Sequence, residues 1–441
     1  MHEWKQDEHC IFHVDVNSAF LSWSALKKLE EDPESTDLRT IPSAVGGDTA
    51  TRHGVITAKS IPAKRYGVQT GEPVVQALRK CPSLVLVRAD FRVYRSYSRA
   101  LMEILREYTD LVEQASIDEA YLDMSGSPYR LAGSGAGLKA EEQWPLNAAH
   151  EIRKRVYREL GFTVNIGISV NKLLAKMASD FEKPDKVHTL YPDEVPRKMW
   201  PLPMRELHGC GGATEERLRQ LGICTIGQAA AMDPAILQSN LGQKAGEYIW
   251  KSANGIGSSV VRPQHEKAKS YSNEETTPED ISSENYRTKG LEIVQRLGRK
   301  VASRMEKDHV MAKTIQVIVK TDDFRRHSRQ ATIGSATADP AVICREAEAL
   351  MDQMLFSADG IFKSGRTLRL IGVGCSGLTD GAYRQMDLLS WIQEAPVRDE
   401  KQRKKKKLEE MMRQASSRFG ADAIRRGTGS SFESGADSQK R

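Results

Sequence analysis

Apolar positions along the chain fall into short runs, and their spacing marks most of the elements. Residues 10–16 (CIFHVDV) are apolar and β-branched and end on a carboxylate, which predicts a short buried strand. Helical spacing follows from about Ser18 to Glu30. A mixed segment then runs to about Cys81 and carries the turn signals PSAVGGD (42–48) and YGVQTGEP (66–73). LVLVR (84–88) predicts a strand, residues 91–108 a long helix, and LVEQASIDEAYLDMSG (111–126) a hairpin whose strands meet near Asp118–Glu119. A Gly/Ser-rich loop (126–140), a helix near 146–160, the strand FTVNIGIS (162–169) and a helix from Asn171 follow. The alternation β-α-(insert)-β-α-β-β-α-β predicts one α/β sheet with helices on one side, interrupted by a small inserted domain.

From 181 to 255 the pattern is helical with short loops, and GIGSSVVRPQHEKAK (255–269) has the polar, Gly/Ser/basic composition of a linker. Residues 270–376 alternate again. A helix near 284–307, the strand TIQVIVKTDDF (314–324), a helix near 339–356 and the strand TLRLIGVGC (367–375) predict a second α+β unit. Beyond about 378 the chain is amphipathic and basic, and it ends in low complexity. No internal repeat is evident.

Composition narrows the class. A chain of 441 residues carries a prior of about three domains. With 39% hydrophobic and 28% charged residues, it can build real cores and is not globally disordered. Its apolar runs fall far short of the ~20 residues needed to span a bilayer, and the opening MHEWKQDEH is polar, so neither a membrane nor an export role is expected. The formal net charge of +6 is mild. The six cysteines form no CxxC pair and no Cys/His ligand spacing, against zinc sites and a disulfide framework. A reduced, cytoplasmic, multidomain protein is the expectation.

Three carboxylates stand out by placement. Asp15 ends the first strand, and Asp118 and Glu119 sit at the hairpin tip. Strands of one sheet can bring these tips together, and their repulsion is normally relieved by divalent cations, Mg²⁺ preferring such oxygens. Alternatively they are solvated turn acids. LHGCGGATEERLRQLGI (207–223) reads as a helix–hairpin–helix in which Gly209 and Gly211 allow a tight turn. Its amides can grip a DNA phosphate without reading sequence. VGGDT (45–49) superficially resembles the GGDEF signature of cyclic-dinucleotide synthases, but Thr49 follows where Glu-Phe is needed, so Gly46–Gly47 is read as a turn.

Taken in order, HVDVNSAF (13–20), SIDEAYLD (116–123) and GISVNKLLAKMASDFEKPD (167–185) resemble the active-site motifs of the Y-family, or translesion, DNA polymerases, in the DNA polymerase IV branch. The likeness runs from about residue 10 to 390. It implies an α+β multidomain fold shaped as a polymerase right hand: an α/β palm (1–18 and 84–180), small fingers (19–83), a helical thumb (181–255), a linker (256–269), an α+β little finger (270–376) and a tail (377–441). Asp15, Asp118 and Glu119, with the Val16 carbonyl, would hold two Mg²⁺ ions for low-fidelity addition of dNTPs to a primer–template, without proofreading. Phe20 would be the steric gate against a 2′-hydroxyl, and Lys172 a contact to the incoming triphosphate. Where the family usually has asparagine, tyrosine and arginine, this chain has Ser60, Ile61 and Lys64; Lys64 can still meet a phosphate, but Ile61 cannot hydrogen-bond. Asn17 and Ala19 also depart from the more usual acid and aromatic.

QMDLL (385–389) resembles the peptide by which bacterial polymerases bind the sliding clamp, with Gln385 for a polar pocket and Met386, Leu388 and Leu389 as apolar anchors. The KQRKKKKLEEMMRQ run (401–414) is either a solvated face or a DNA-backbone contact. A monomer bound to DNA, dNTPs and a clamp is expected. A palm-fold nucleotidyl cyclase and a catalytically weak DNA-binding relative are the alternatives; the helix–hairpin–helix argues against the first, the intact carboxylate trio against the second.

Overall fold

The computed structural model describes residues 8–47, 54–129, 138–264 and 267–380, with residues 407 and 411, and over 138–142 the backbone alone. The chain divides into two compact units, residues 1–268 with 276–280 and residues 269–275 with 281–441.

The first unit is laid out as β1 (Ile11–Val16), α1 (Ala19–Glu31), β2 (Ser43–Gly46), β3 (Ile56–Lys59), α2 (Ile61–Arg65), α3 (Val74–Lys80), β4 (Val85–Val87) and α4 (Phe91–Arg106). It continues with β5 (Val112–Gln114), β6 (Glu119–Asp123), α5 (Leu138–Leu160), β7 (Val164–Ser169), α6 (Lys172–Asp180) and β8 (Val187–Thr189). Five of these strands form one sheet in the order β5-β6-β1-β7-β8. Alternation along β1 sends Phe12, Val14 and Val16 into a core shared with Tyr94, Leu101 and Leu105 of α4 and Ile152 and Val156 of α5. Burying side chains of this size contributes about 1.5–3 kcal/mol each.

Ile11, His13 and Asp15 point the other way. There Ile11 packs on Ala175, His13 meets Ser179 and Asp15 meets Lys176, all three partners on α6. The expectation of helices on one side is therefore corrected: α6 covers the second face, and every residue of β1 is buried. A strand buried on both faces reads as a nearly unbroken apolar run, as CIFHVDV does. A second correction concerns 181–255, which is not wholly helical, since β8 pairs in parallel with β7 at the sheet edge. The α5 helix also begins earlier than expected, inside the Gly/Ser-rich stretch.

A separate three-stranded sheet, β3-β2-β4, stands over a small core of Ala44, Ile56, Val68 and Val74; β4, expected as a strand of the main sheet after the insert, is corrected, since it pairs in parallel with β2 of the inserted segment. Gly46, read as part of a turn, closes β2 in a buried position. The Asp48–Thr49 end of that motif lies outside the described residues. After β8 come the short helices α7 (Val195–Lys198), α8 (Gly212–Gln220), α9 (Ile226–Ala231), α10 (Pro234–Leu241) and α11 (Gln243–Ala253). They gather around Leu207, Leu218, Ile226 and Ile249, joined by Leu174, Met177 and Ala178 from α6. The stretch read as a linker is docked at its start. Ser258 accepts from the Lys172 amide at 3.0 Å, Val261 is buried, and the Arg262 amide donates to Glu113 at 2.8 Å.

The second unit has β9 (Ser270–Ile281), α12 (Leu291–Lys307), β10 (Met311–Thr321), β11 (Arg326–Thr337), α13 (Pro340–Phe356) and β12 (Leu368–Thr379). Its sheet runs β11-β10-β12-β9. The core holds Val294, Leu297 and Val301 of α12, Ala347 and Met351 of α13, and Ile315, Val317 and Val319 of β10. β9 and β11 escape the hydrophobic pattern because both are edge strands of mostly polar residues, eight of the twelve positions of β11 being exposed. Among the described residues no helix is long and apolar enough to cross a membrane. All six cysteines are unbonded, and five of them are buried.

Candidate active site

The register of the antiparallel β1–β6 pair places Asp15 directly opposite Glu119. Asp118 precedes β6, and its carbonyl accepts from the Val16 amide at 3.1 Å, locking the hairpin tip onto the end of β1. The three carboxylates expected to converge therefore sit on adjoining strand ends. Asp15 is only 6% exposed.

Two ammonium groups answer this negative charge. Lys176 on α6 donates to Asp15 at 3.1 Å and to Glu119 at 2.8 Å, and Lys183 donates to Asp15 at 2.8 Å. Asp180 pairs with both lysines, at 3.3 and 2.9 Å. Burial acts to lower the Lys176 pKa, but Asp15 and Glu119 outweigh it and hold the ammonium charged well above its usual range. Lys183 is raised in the same way, Asp15 again overcoming burial. The Glu119 carboxyl is held below the carboxylate range by His13 and Lys176, against its own burial. His13 Nε2 lies 3.7 Å from Glu119 and makes no hydrogen bond, and burial lowers the pKa of its ring, so Lys176 is the direct partner.

Asp118 has no such ammonium. Among the described residues its side chain accepts only from the Ser116 hydroxyl, at 2.6 Å. Burial and then the nearby Asp15 and Glu119 push its pKa up, with Ser116 opposing. A half-buried carboxylate facing two others is what a divalent cation relieves, and hard carboxylate and carbonyl oxygens suit Mg²⁺. Among the described residues no three acidic, His or Cys side chains are already gathered on a common point. Asp15 and Glu119 converge on the Lys176 ammonium instead, so the donor set fits a cation at the place where a cationic side chain now lies.

Sequence reasoning missed Lys176, Asp180 and Lys183. Part of the signal was present, because 172, 176 and 180 recur at spacings of four on one helical face, while Lys183 lies just past the helix end. Lys172 itself is held elsewhere. It donates to both Glu113 oxygens at 2.7 Å and lies 5.0 Å from the centre of the Tyr121 ring. Asn17 is fully engaged: it donates to Asn165 at 3.1 Å and accepts from Thr163 and the Asp185 amide, both at 2.9 Å.

Phe20, on the first turn of α1, stacks on Tyr94 with ring centres 4.7 Å apart and meets Phe91 edge-on at 5.7 Å. In the inserted segment Ser60 is buried as the N-cap of α2 and donates to the Ile41 carbonyl at 2.8 Å. Ile61 is 44% exposed, and Lys64 is exposed. The hairpin glycines are both exposed before α8. Gly209 has φ +84°, and a Cβ there would lie 2.6 Å from the Tyr248 ring, whose hydroxyl donates to the His208 carbonyl at 3.0 Å. Gly211 is the N-cap of α8, with open space where a Cβ would stand. The peptide Gln385–Leu389 and nearly all of 401–414 lie outside the described residues.

Comparison with known proteins agrees with this arrangement. Residues 14–180 match the impB/mucB/samB family and residues 268–388 its C-terminal domain, while residues 205–257 match the thumb domain of DNA polymerase iota. DNA polymerase IV of Clostridium acetobutylicum is 38% identical over 379 residues, 86% of this chain and 89% of that protein. DNA polymerase IV 1 of Bacillus subtilis is 36% identical over 422 residues, covering 95% and 92% of the two chains. In fold, a Y-family DNA polymerase chimera of Dbh and Dpo4 superposes with a TM-score of 0.67 over 83% of this chain and 98% of its own, at 23% identity. With relatives this similar over nearly their whole length, the chain belongs to the Y family of DNA polymerases, in the DNA polymerase IV branch, and is a DNA-directed DNA polymerase of the translesion type.

Proposed function

We propose that this chain extends a DNA primer by two-metal nucleotidyl transfer, with Asp15, Asp118, Glu119 and the Val16 carbonyl holding the ions. The observation that carries the reading is the register that sets Asp15 against Glu119 with Asp118 one residue away. When bound, two Mg²⁺ ions supply activation of the primer 3′-hydroxyl and charge stabilisation at the leaving pyrophosphate. Asp118 lacks an ammonium partner and is pushed toward protonation by its neighbours, so it is the carboxylate that gains most from such charge. Lys183 is 37% exposed at its side chain and sits on Asp15, which suits it to an incoming triphosphate. Lys172 reaches that triphosphate only if its Glu113 pair opens. The exposed Lys64 serves as a second phosphate contact.

Phe20, held flat against Tyr94, excludes a 2′-hydroxyl and selects deoxynucleotides. Gly209 and Gly211 present amides with no acceptor among the described residues toward a DNA phosphate, so the grip is independent of sequence. Synthesis is low in fidelity and without proofreading, and the protein acts as a cytoplasmic monomer tethered by Gln385, Met386, Leu388 and Leu389 to a sliding clamp.

Asp118→Ala tests the metal assignment. Primer extension with Mg²⁺ and dNTPs should fall by at least a hundredfold, since the transferring phosphate loses charge stabilisation of several kcal/mol. Melting temperature should change little, because the half-buried carboxylate that is removed has no ion pair and only one hydrogen bond, from Ser116. Extension within tenfold of the unmodified enzyme would refute the assignment.

A further inference from the structure

The α4 helix carries four arginines, Arg92, Arg95, Arg99 and Arg106, that pair with no carboxylate among the described residues. Several other arginines in the same unit are engaged, Arg155 with Glu107 and Glu159, Arg39 with Asp37 and Arg153 with Asp185, and the unpaired ones outside α4, such as Arg65, Arg79 and Arg217, form no such row. Glu103 is the only acid in α4, and it pairs with none of the four. Spacings of three, four and seven keep the four on one helical face. Arg95, Arg99 and Arg106 border a groove of about 490 Å³ whose other wall includes Gln114, Ser116 and Ile117. Ser116 is the residue that donates to Asp118 at 2.6 Å, so the groove begins at the catalytic hairpin. Gln114 donates to the buried Ser98 hydroxyl at 3.1 Å, which fixes α4 against this wall.

An unpaired row of guanidinium groups repels itself and adds no stability, so its use lies in a ligand. We propose that this groove binds the sugar–phosphate backbone of a DNA strand beside the active site, a contact separate from the glycine hairpin. From Arg92 to Arg106 the helix advances about 21 Å, at roughly 1.5 Å per residue. That length is enough for the four guanidinium groups to meet successive phosphates of one strand. A guanidinium fork takes two phosphate oxygens at once, which a lysine cannot do. A lone nucleotide or pyrophosphate would engage the groove and leave Arg92 idle, so the length of the row favours a strand. The inference takes the polymerase activity as given and adds where the DNA is held.

The test is the binding of a fluorescent primer–template across a salt series, with Arg95→Ala/Arg99→Ala/Arg106→Ala in the full-length chain. Each lost phosphate contact lowers the slope of log K against log salt by about 0.7–0.9, so the triple variant should lose about two to three units. Affinity at low salt should weaken at least tenfold. The triple lysine variant should recover most of the slope, and a circular-dichroism melt checks folding; Arg99→Ala alone, losing about one unit, covers a triple variant that unfolds. Asp118→Ala should keep the full slope while losing extension, which separates failure of this inference from failure of the catalytic assignment. An unchanged slope in the folded triple variant would overturn the proposal. Pyrophosphate binding to the unmodified protein without DNA, lost in the triple variant while the DNA slope persists, would overturn it too, by making the groove a small-anion site.

Discussion

Phe20 shows what a single side chain does twice. Its ring is fixed by the stack on Tyr94 and the edge contact with Phe91, so it is a rigid wall, as a gate must be. Phe20→Val would free space that only a 2′-hydroxyl can use, so the kcat/KM ratio of dNTP to rNTP should fall at least tenfold; an unchanged ratio would make Phe20 a core residue alone. The same change loses an aromatic pair worth roughly 0.5–1.5 kcal/mol, so a modest drop in melting temperature is expected with it. At this scale the meeting of Asp15, Asp118 and Glu119 was legible from the sequence, because acids at the ends of strands in one sheet are brought together by its pairing. Lys176 and Lys183 were not, since a lysine in an amphipathic helix looks the same whether it faces water or a buried acid. Only the fold, bringing α6 across the β1 face, decides which lysine meets Asp15. Lys172 illustrates the converse, with Glu113 and the docked segment around Ser258 and Arg262 claiming it.

Among the elements, the glycine hairpin before α8 separates two demands that look alike in sequence. Gly209 needs its missing side chain twice over, for φ +84° and for the approach of Tyr248, whereas Gly211 has φ −78° and open space. A left-handed backbone costs a non-glycine residue roughly 1–2 kcal/mol before any clash. Gly209→Ala should therefore lower stability clearly and weaken DNA binding by deforming the hairpin. Gly211→Ala should change stability by only a few tenths of a kcal/mol, as an N-cap exchange. Thermal melts and DNA titrations of the two variants check this, and equal effects would mean that the turn is more plastic than its geometry implies. Elements with strong apolar periodicity, such as β1, α4 and α13, were readable from the chain to within a few residues. β8, β9 and β11 were not: β8 has three half-buried residues, and the other two are edges whose polar faces carry no alternation. The buried end of β2 was misread because Gly-Gly-Asp signals a turn locally, while the pairing with β3 and β4 overrides it.

For the molecule as a whole, a net charge of +6 over 441 residues is too small to hold DNA by bulk attraction, so placed contacts and the proposed tether would have to supply retention. The QMDLL peptide at 385–389 follows the last strand of the second unit by a few residues, as a tether should. Under the proposed tether, docking of Gln385 and three apolar side chains in a clamp groove would change nothing at Asp15, Asp118 or Glu119. It would act through effective concentration: a polymerase that releases the primer would stay near it and rebind, so products would lengthen while each insertion keeps its rate. Truncation after Arg384 would confuse this with the loss of Lys404–Lys407, which can bind DNA on their own account. The double change Gln385→Ala with Leu388→Ala leaves that run in place. It should abolish the lengthening of products that a bacterial clamp confers while leaving single-nucleotide insertion on a bare primer within about twofold. Product-length distributions with and without the clamp decide the matter, and clamp stimulation that survives both substitutions would show the pentapeptide to be a chance match.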